Sequence, residues 1–371
     1  MRIAIDARKL HDFGIGTYIR NLVTELAALD HTTDYVLLTR PDDTAAAGAA
    51  GPNFRALVES SRPYSIAEQW GVPRAVARIH ADLLHEPHYV LPPLTRTRTV
   101  VTIHDCIHLR FPEYLPGRAA FAYAHAMIRL AARKADRVLT VSDASKRDIL
   151  HYTGIAPEKV VVIHNGLDAR FAAAPDPEAV ERVRQRFQLD HPFVLYVGNI
   201  KPHKNLARLI AAFAAMRADG PDGLKLVVIG DETSKHPELR QAVHRHRLDK
   251  HVRFFGFQPS ATLVVFYRLA RAFVFPSLYE GFGLPPLEAM ANETPVVTSN
   301  VSSLPEVAGG AALLVDPYDV ASIADGIRRA VTDETLRQDL IGRGRARARE
   351  FSWARAAADT LRVYRQVLGT A

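Results

Sequence analysis

Two glutamates, Glu280 and Glu288, enclose the segment of this chain that is best suited to chemistry. Two glycines and the pair Pro285–Pro286 lie between them, and the apolar run Ala272–Phe275 comes before them. Proline is tolerated in the first turn of a helix, because its missing N–H would be unpaired there. We therefore predict a strand, a glycine loop and a helix whose N-terminus favours an anion. Both carboxylates would face that anion, which suits them to binding hydroxyl groups; the alternative is an ordinary turn with two solvated glutamates.

A second loop, Gly198–Leu206, follows a predicted strand and opens a predicted helix, so its basic residues stand at the carboxyl end of that strand. Lys204 is placed to hold a phosphate group as a point charge, and Lys201 and Asn205 are candidates to assist it. The alternative is a cationic loop in which the asparagine only starts the helix.

The residues Gly14 and Gly16 follow the first predicted strand and resemble half of a dinucleotide fingerprint. The third glycine position of that fingerprint is Ile19, and no acidic residue closes a second strand at the required spacing, so we do not expect a nicotinamide site. The pattern predicts either a turn that lets a phosphate or sugar approach the backbone, or a purely structural turn.

A histidine, His104, ends another predicted buried strand. There it can bind a polar ligand or stabilise developing charge, although a single histidine is often structural. The pairs His104/His108 and His85/His88 come with no third ligand and no zinc-helix motif, so we expect no metal site.

Short apolar runs alternate with helical segments twice along the chain. This pattern predicts an α/β fold with two doubly wound, Rossmann-like parallel-sheet domains, with ligands at the carboxyl ends of the strands. The predicted strands are Arg2–Asp6, Tyr35–Thr39, Asp82–His85, Thr99–Ile103, Arg137–Val141, Lys159–Ile163, Pro192–Val197, Leu224–Ile229, Val252–Phe255, Ala272–Phe275 and Pro295–Thr298. The predicted helices are Thr17–Leu29, Arg118–Lys134, Pro177–Phe187, Leu206–Met216, Pro237–Arg247, Ser260–Leu269, Leu284–Ala291, Ala321–Val331 and Trp353–Leu368.

The domains are predicted at residues 1–187 and 188–352, and the C-terminal helix, within 353–371, is free to pack back on the first of them. The Ala/Gly-rich stretch Thr44–Gly51 is predicted to be a mobile loop. With 371 residues and 48% hydrophobic content, the chain can bury two cores.

The composition also indicates the cellular compartment in which the protein is expected. No apolar run is long enough to cross a membrane, and the N-terminus leads straight into a strand, unlike a signal peptide. The single cysteine, Cys106, fits a reducing compartment, so we expect a cytoplasmic protein.

The formal net charge of +7 suits anionic partners. The densest basic run, Arg343–Arg349, distributes its arginines around a helix, which predicts a solvated surface with peripheral membrane contact as an alternative. No motif supports a nucleic-acid partner. Several predicted strand ends, those before the two loops among them, offer polar groups to one cleft. They predict a nucleotide-sugar site, in which Lys204 and the helix N-terminus at Leu284 hold a diphosphate and the two glutamates take hydroxyls.

The same residues carry a resemblance to glycosyltransferases of family 4, which have the two-domain GT-B fold with a cleft between the domains. The resemblance extends over nearly the whole chain and is closest to bacterial mannosyltransferases that extend polysaccharides. Its segments are Met1–Tyr18, Thr102–Asp105, Thr140–Lys146, Tyr196–Leu206 and Pro276–Asp316.

The resemblance implies a retaining, metal-independent transfer of a hexose, with mannose from GDP-mannose favoured, to a glycan or lipid-linked acceptor. The first domain would then lie on the acceptor side, the second would bind the nucleotide sugar, and the enzyme would work in the cytoplasm or at the inner face of the cell membrane. The implied catalytic residues are His104 beside the sugar, Lys204 on the diphosphate and Glu280 on the sugar hydroxyls. The implied donor-binding residues are Gly14, Gly16, Asn199, Lys201, Phe282, Gly283, Leu284 and, on the ribose, Glu288.

One departure from the family pattern concerns the phosphate clamp. Many relatives carry an arginine before the lysine, whereas Asn199 takes the nearest position here. Either Lys201 substitutes for that arginine or the clamp is weaker. The remaining alternatives are a UDP-sugar donor, a nucleotide-sugar epimerase, a phosphorylase and a non-catalytic binding protein.

Overall fold

The computed structural model describes residues 1–45, 50–217, 220–231 and 235–370. They form two compact units, of which the first comprises Met1–Gly166 and Ser352–Ala371 and the second Leu167–Phe351.

The first unit contains a parallel sheet with seven strands among the described residues, in the order β3-β2-β1-β4-β5-β6-β7. These strands are β1 Arg2–Asp6, β2 Asp34–Thr39, β3 Phe54–Val58, β4 Leu83–Glu86, β5 Arg98–Thr102, β6 Arg137–Thr140 and β7 Val160–Val162. The described helices of this unit are Phe13–Leu29, Glu68–Arg78, Ile107–Arg110, Arg118–Lys134, Asp143–Thr153 and Trp353–Leu368.

The second unit contains a parallel sheet with six strands among the described residues, in the order β10-β9-β8-β11-β12-β13. These strands are β8 Phe193–Val197, β9 Lys225–Ile229, β10 Val252–Phe255, β11 Ala272–Phe275, β12 Val296–Ser299 and β13 Leu313–Val315. The described helices are Ala169–Ala172, Pro177–Phe187, Leu206–Met216, Pro237–Arg245, Ser260–Leu269, Leu284–Ala291, Leu304–Ala308, Val320–Thr332 and Glu334–Ala348.

Both sheets have a point at which the strand order reverses, between β1 and β4 in the first and between β8 and β11 in the second. The strands at these points are almost fully buried because helices cover both faces, which explains why they read as uninterrupted apolar runs. In open α/β sheets, ligands bind at the carboxyl ends of the strands beside such a reversal. The loops that follow these four strands are therefore the first places to look for a site.

The predicted α/β fold class is confirmed in both units. Two edge strands, β3 and β13, were not predicted from the sequence. Both are only partly buried; Arg55 interrupts the apolar residues of β3, and β13 has only three residues. Residues 46–49 of the predicted mobile loop at 44–51 lie outside the described part of the chain.

The boundary between the units differs from the predicted one. The division lies between Gly166 and Leu167, so the predicted boundary after Phe187 falls inside the second unit. The cause is the helix Pro177–Phe187, whose last residue is buried with its ring centroid 5.1 Å from that of Phe255 and 5.0 Å from that of Phe266.

The C-terminal helix Trp353–Leu368 belongs to the first unit. Its buried residues include Trp353 and Tyr364. The Tyr364 hydroxyl lies 2.6 Å from Nδ1 of His85, and the Trp353 ring packs edge-on against Tyr18. A Cβ at Gly166 would come within 2.0 Å of the backbone nitrogen of Trp353. Only glycine at position 166 therefore allows the C-terminal helix to start so close to the backbone there.

Candidate active site

The turn that presents Lys204 is tied to the loop after β11. Lys204 ends a 3₁₀ turn that begins at Pro202, and Asn205 then adopts left-handed backbone with φ 64°. The side-chain amide of Asn205 donates to the carbonyls of Pro276 and Pro317, at 3.0 and 2.7 Å. The buried Asn205 thus positions the lysine turn, and the structure does not support its predicted role as a ligand to phosphate.

The central feature of the second unit is an ion pair between Lys204 and Glu280. The Lys204 ammonium donates to both carboxylate oxygens, at 2.6 and 2.9 Å, and each side chain is 13% exposed. The same nitrogen lies 5.0 Å from the centre of the Phe275 ring. A lysine ammonium has three donors, so one N–H remains for a further acceptor. A pair this sheltered is screened by salt less than a surface pair.

Two serines hold the backbone of Glu280. The backbone N–H of Glu280 donates to Oγ of Ser302 at 3.1 Å, and the Ser303 hydroxyl donates to the carbonyl of Glu280 at 2.9 Å. On the other side, the Leu278 N–H donates to the carbonyl of His203 at 2.7 Å, and His203 directly precedes Lys204. The carboxylate and the ammonium are therefore carried on backbone segments that are fixed relative to each other.

The predicted helix N-terminus follows this loop. The helix is Leu284–Ala291, and its N-cap Gly283 has φ 133°, a conformation that favours glycine. The first N–H groups of a helix have no acceptor within it, so those of Gly283 and Leu284 are suited to an anion. The Phe282 side chain is 4% exposed and packs edge-on against Phe351, so only its backbone is suited to ligand contact.

The second glutamate of the motif, Glu288, is half-buried on this helix. The Tyr267 hydroxyl donates to its Oε2 at 2.9 Å. Burial raises the pKa of Glu288 to about 7, and the negative charge of Asp168 adds to this, while the Tyr267 hydrogen bond and Arg170 oppose it. Near neutral pH the group can therefore either accept or donate a hydrogen bond. Tyr267 was not found from the sequence, because its helix lies earlier in the chain and has no spacing relation to the motif.

Asn199 and Lys201 occupy the loop after β8. The Tyr196 hydroxyl donates to the Asn199 carbonyl at 3.2 Å. The side-chain oxygen of Asn199 is buried and has no hydrogen-bond partner among the described residues, which leaves it open to a donor. Lys201 is exposed at the start of the lysine turn.

In the first unit, His104 follows β5 and is half-buried. Its Nε2 lies 3.0 Å from the Pro87 carbonyl, which can only accept, so Nε2 carries the proton and Nδ1 is left as an acceptor. The ring packs edge-on against Tyr18, with centroids 4.9 Å apart. Burial lowers the pKa of His104 to about 4, so the ring is neutral at neutral pH.

Gly14 and Gly16 do not form the predicted turn. The helix begins at Phe13, not at Thr17, so both glycines lie in its first turn. A Cβ at Gly16 would come within 2.3 Å of the Leu10 carbonyl oxygen, whereas one at Gly14 would meet nothing within 4 Å. Gly16 therefore permits close packing of this helix against the preceding loop, and the exposed Gly14 is not required by packing.

Two further properties concern metals and membranes. In the part of the chain that the structure describes, no three His, Cys, Asp or Glu side chains are grouped as a metal ion would require. Among the same residues, no helix combines the length and the apolar character that spanning a membrane requires.

Comparisons with known proteins agree with this architecture. The family described as Glycosyltransferase Family 4 matches residues 14–171, and the one described as Glycosyl transferases group 1 matches residues 178–347. The O-antigen chain mannosyltransferase B of Escherichia coli is 31% identical over 367 residues, which cover 95% of this chain and 96% of that protein. The chain belongs to glycosyltransferase family 4. It is a glycosyltransferase, as the sequence predicted.

Solved structures support the fold of this family 4 glycosyltransferase. Sucrose-phosphate synthase from Thermosynechococcus elongatus superimposes with a TM-score of 0.82 at 22% identity, covering 100% of both chains. The structure of HepE from Anabaena, in complex with UDP and glucose, gives a TM-score of 0.78 at 20% identity and covers 99% of this chain and 100% of that one. At these identities the likeness establishes the fold, which is GT-B.

Proposed function

We propose that this glycosyltransferase moves mannose from GDP-mannose to a growing glycan or a lipid-linked saccharide, with retention of the anomeric configuration. The choice of mannose is supported by the name of the E. coli relative, an O-antigen chain mannosyltransferase. The observation that carries the proposal for the site is the sheltered Lys204–Glu280 pair beside the start of the helix Leu284–Ala291.

Lys204 is assigned to the diphosphate. Two of its three N–H donors bind Glu280, and the third is free to bind a phosphate oxygen. The charge of the pair sums to zero, so the lysine alone does not neutralise a diphosphate. The N–H groups of Gly283 and Leu284 supply the remaining positive field at the helix N-terminus. We expect Lys201 to add a weaker, solvent-screened contribution.

Glu280 and Glu288 are assigned to hydroxyl groups. The Glu280 carboxylate accepts two bonds from Lys204 and keeps lone pairs for sugar hydroxyls. Glu288 is held by Tyr267 with one oxygen, which leaves the other for a ribose hydroxyl. The unpaired Oδ1 of Asn199 is a further acceptor in this region.

The mechanism that follows is dissociative. The bond between the anomeric carbon and the phosphate oxygen breaks with its electron pair going to the diphosphate, and Lys204 and the helix N–H groups stabilise that charge. The acceptor hydroxyl then bonds to the anomeric carbon on the same face, and its proton passes to the departing phosphate. A double displacement would require Glu280 as nucleophile. Both of its oxygens are bound by Lys204, which lowers their nucleophilicity, so we rank that route second.

His104 is assigned to a position beside the transferred sugar. Since its ring is neutral, with Nδ1 free to accept a hydrogen bond, it suits a sugar hydroxyl better than an anionic phosphate. We expect no metal requirement, because the lysine and the helix N-terminus are assigned the role of neutralising the diphosphate. Transfer should then proceed at the same rate in the presence of EDTA. The proposal also includes the acceptor, a glycan or a lipid-linked saccharide, and contact of the enzyme with the inner face of the cell membrane.

Thermal unfolding against a panel of nucleotide sugars tests the proposal. We expect GDP-mannose to raise the melting temperature more than UDP-glucose, UDP-galactose or free GDP does. The shift should vanish in Lys204→Ala and persist in the matched control Lys201→Ala. Release of GDP should occur only when a mannose-containing acceptor is added. A larger shift with a UDP-sugar would show that the donor is that UDP-sugar and not GDP-mannose. Equal shifts in wild type and Lys204→Ala would show that Lys204 does not contribute to donor binding.

A further inference from the structure

The first unit has a second cluster of buried polar groups, where the strand order of its sheet reverses. Asp6 ends β1 and Glu86 ends the neighbouring strand β4, and the two residues are 8% and 2% exposed. Arg8 donates to both oxygens of Asp6, with its Nε at 2.9 and 3.1 Å from them. The transfer mechanism above assigns no role to this cluster.

The surroundings of Glu86 favour its neutral form. Asp6 and Glu86 end neighbouring strands, and two carboxyl groups buried at neighbouring positions do not readily carry a charge each. Arg8 stabilises the charged form of Asp6, so a proton shared by this pair is favoured on Glu86. Burial, together with the charge of Asp6, raises the pKa of Glu86 well above its usual range. Its Oε1 is buried and has no hydrogen-bond partner among the described residues.

His88 is the second group with an unused polar atom. It is 9% exposed, and its Nδ1 is likewise buried without a partner in the described part of the chain. The Lys9 ammonium, which can only donate, lies 3.0 Å from the Tyr64 hydroxyl. The hydroxyl proton is therefore directed to Nε2 of His88, at 3.2 Å. This leaves the proton of the neutral ring on Nδ1, so His88 offers a donor where Glu86 offers an acceptor.

Glu86 and His88 both line one small pocket. Its other walls include Asp6, Arg8, Lys9, Tyr64 and Glu68, and its free volume is about 10 Å³. That volume is close to the minimum for a single water molecule, and it is also the size of a hydroxyl group. A donor and an acceptor on residues of one pocket match a hydroxyl, which both accepts and donates a hydrogen bond.

One of the residues that line the pocket carries an exposed aromatic ring. Tyr64 is 46% exposed and has φ 65°, a left-handed conformation that is costly for a residue other than glycine. Such conformations are held in place where the surrounding structure fixes them, and they concentrate at ligand sites. Here the Lys9 ammonium lies 4.1 Å from the ring centre and His88 packs edge-on against the same ring. The ring is therefore a fixed apolar surface beside a hydroxyl-sized pocket.

We propose that this pocket selects the acceptor saccharide: it binds one sugar hydroxyl between Oε1 of Glu86 and Nδ1 of His88, with the Tyr64 ring supporting the sugar. This inference rests on the proposed transfer to a glycan and names the residues that recognise that glycan.

Binding of methyl α-mannoside and its monodeoxy analogues, without donor, tests this inference by saturation-transfer NMR or calorimetry. We expect one deoxy analogue to bind roughly 10- to 100-fold more weakly than the parent, since it leaves both buried polar atoms unpaired. No detectable binding of the parent glycoside, or equal binding of every analogue, would overturn the inference.

Two substitutions of Glu86 sharpen the test. Glu86→Gln keeps a donor towards Asp6 and an acceptor towards the pocket, so we expect the affinity for methyl α-mannoside to stay within about threefold of wild type. Glu86→Leu removes the hydrogen-bond acceptor Oε1. This variant should bind methyl α-mannoside as weakly as the wild type binds the critical deoxy analogue. Glu113→Gln, on an exposed turn of the same unit, is the matched control. A Leu variant that still distinguishes the parent from that analogue would contradict the assignment.

Two further comparisons cover a variant that does not fold and separate the pocket from the proposed function. Should Glu86→Leu fail to fold, His88→Phe and the deoxy series on wild type provide the same comparison. Saccharide binding without any transfer from a nucleotide sugar would refute the proposed function and leave the pocket intact. Transfer that is indifferent to the deoxy series and to His88→Phe would refute the pocket and leave the function intact.

Discussion

The two units place polar pairs at corresponding points of their sheets, but the pairs differ in charge. Lys204 and Glu280 follow β8 and β11, and Asp6 and Glu86 end β1 and β4, in each case where the strand order reverses. The first pair joins an ammonium to a carboxylate and keeps a charged donor free. The second places two buried carboxyls beside Arg8 and leaves Oε1 of Glu86 as an unpaired acceptor among the described residues. The same topology can thus serve an anionic ligand or a hydroxyl, depending on the side chains at the strand ends.

The largest expected effect comes from removing the charged donor. We predict that Lys204→Ala lowers kcat by roughly 100- to 1,000-fold, since loss of one preorganised contact to developing charge typically has that effect. Lys201→Ala should lower it less than about tenfold, because that side chain is exposed. Steady-state release of GDP measures both. Similar losses of kcat in the two variants would show that the positive charge of the region as a whole, not the buried Lys204–Glu280 pair, supports catalysis.

Lys204→Ala also leaves the Glu280 carboxylate without its partner in a sheltered position, so its folding must be checked by circular dichroism. Lys204→Arg restores the charge and serves as a rescue. Partial recovery of kcat by this variant is expected if charge rather than shape is the main contribution.

A second prediction concerns Glu288 and pH. Its pKa is raised from 4.5 to about 7, so the folded state holds the proton more tightly than the unfolded chain. The resulting stability is present in full below pH 4.5 and is lost as pH rises to about 7. From the size of the shift, the loss is on the order of 3 kcal/mol. Urea unfolding of wild type and Glu288→Gln across this range measures it. We expect the wild type to lose stability relative to the variant as pH rises, and parallel curves would contradict the assignment.

The third prediction separates Gly16 from Gly14. Gly16→Ala should destabilise the protein by about 1–3 kcal/mol, because the new methyl group would collide with the Leu10 carbonyl. Gly14→Ala has open space in the same helix turn and should be neutral or stabilising by up to about 1 kcal/mol. Chemical denaturation of the two variants provides the comparison. Equal effects would mean that the start of this helix is not packed against its preceding loop.

Much of the fold was predictable because buried parallel strands appear in sequence as Val/Ile-rich runs, and β1, β8 and β11 are of this kind. The helix Leu284–Ala291 was predicted with its bounds, since prolines in the first turn mark a helix start. The strands β3 and β13 lie at sheet edges, where the first is interrupted by Arg55 and the second is only three residues long, so neither gives a clear signal.

The site was predictable only in part. The two motif loops contain Lys204 and Glu280, but the sequence does not show that these residues bind each other, because their contact joins positions 204 and 280. The partner of Glu288, Tyr267, and the neutral pair at Glu86 and His88 likewise depend on contacts between separate elements. The packing role of Gly16 was also missed, because the close approach of the Leu10 carbonyl is not visible in the sequence, and the predicted donor contact of this glycine stays a prediction.

The most direct test of the central claim is a crystal structure with a non-transferable fluorinated analogue of GDP-mannose. We expect a phosphate oxygen within hydrogen-bond distance of the Lys204 ammonium and of the Gly283 or Leu284 N–H, with a sugar hydroxyl on Glu280. A diphosphate bound away from all three, with Lys204 and Glu280 paired as in the free protein, would contradict it.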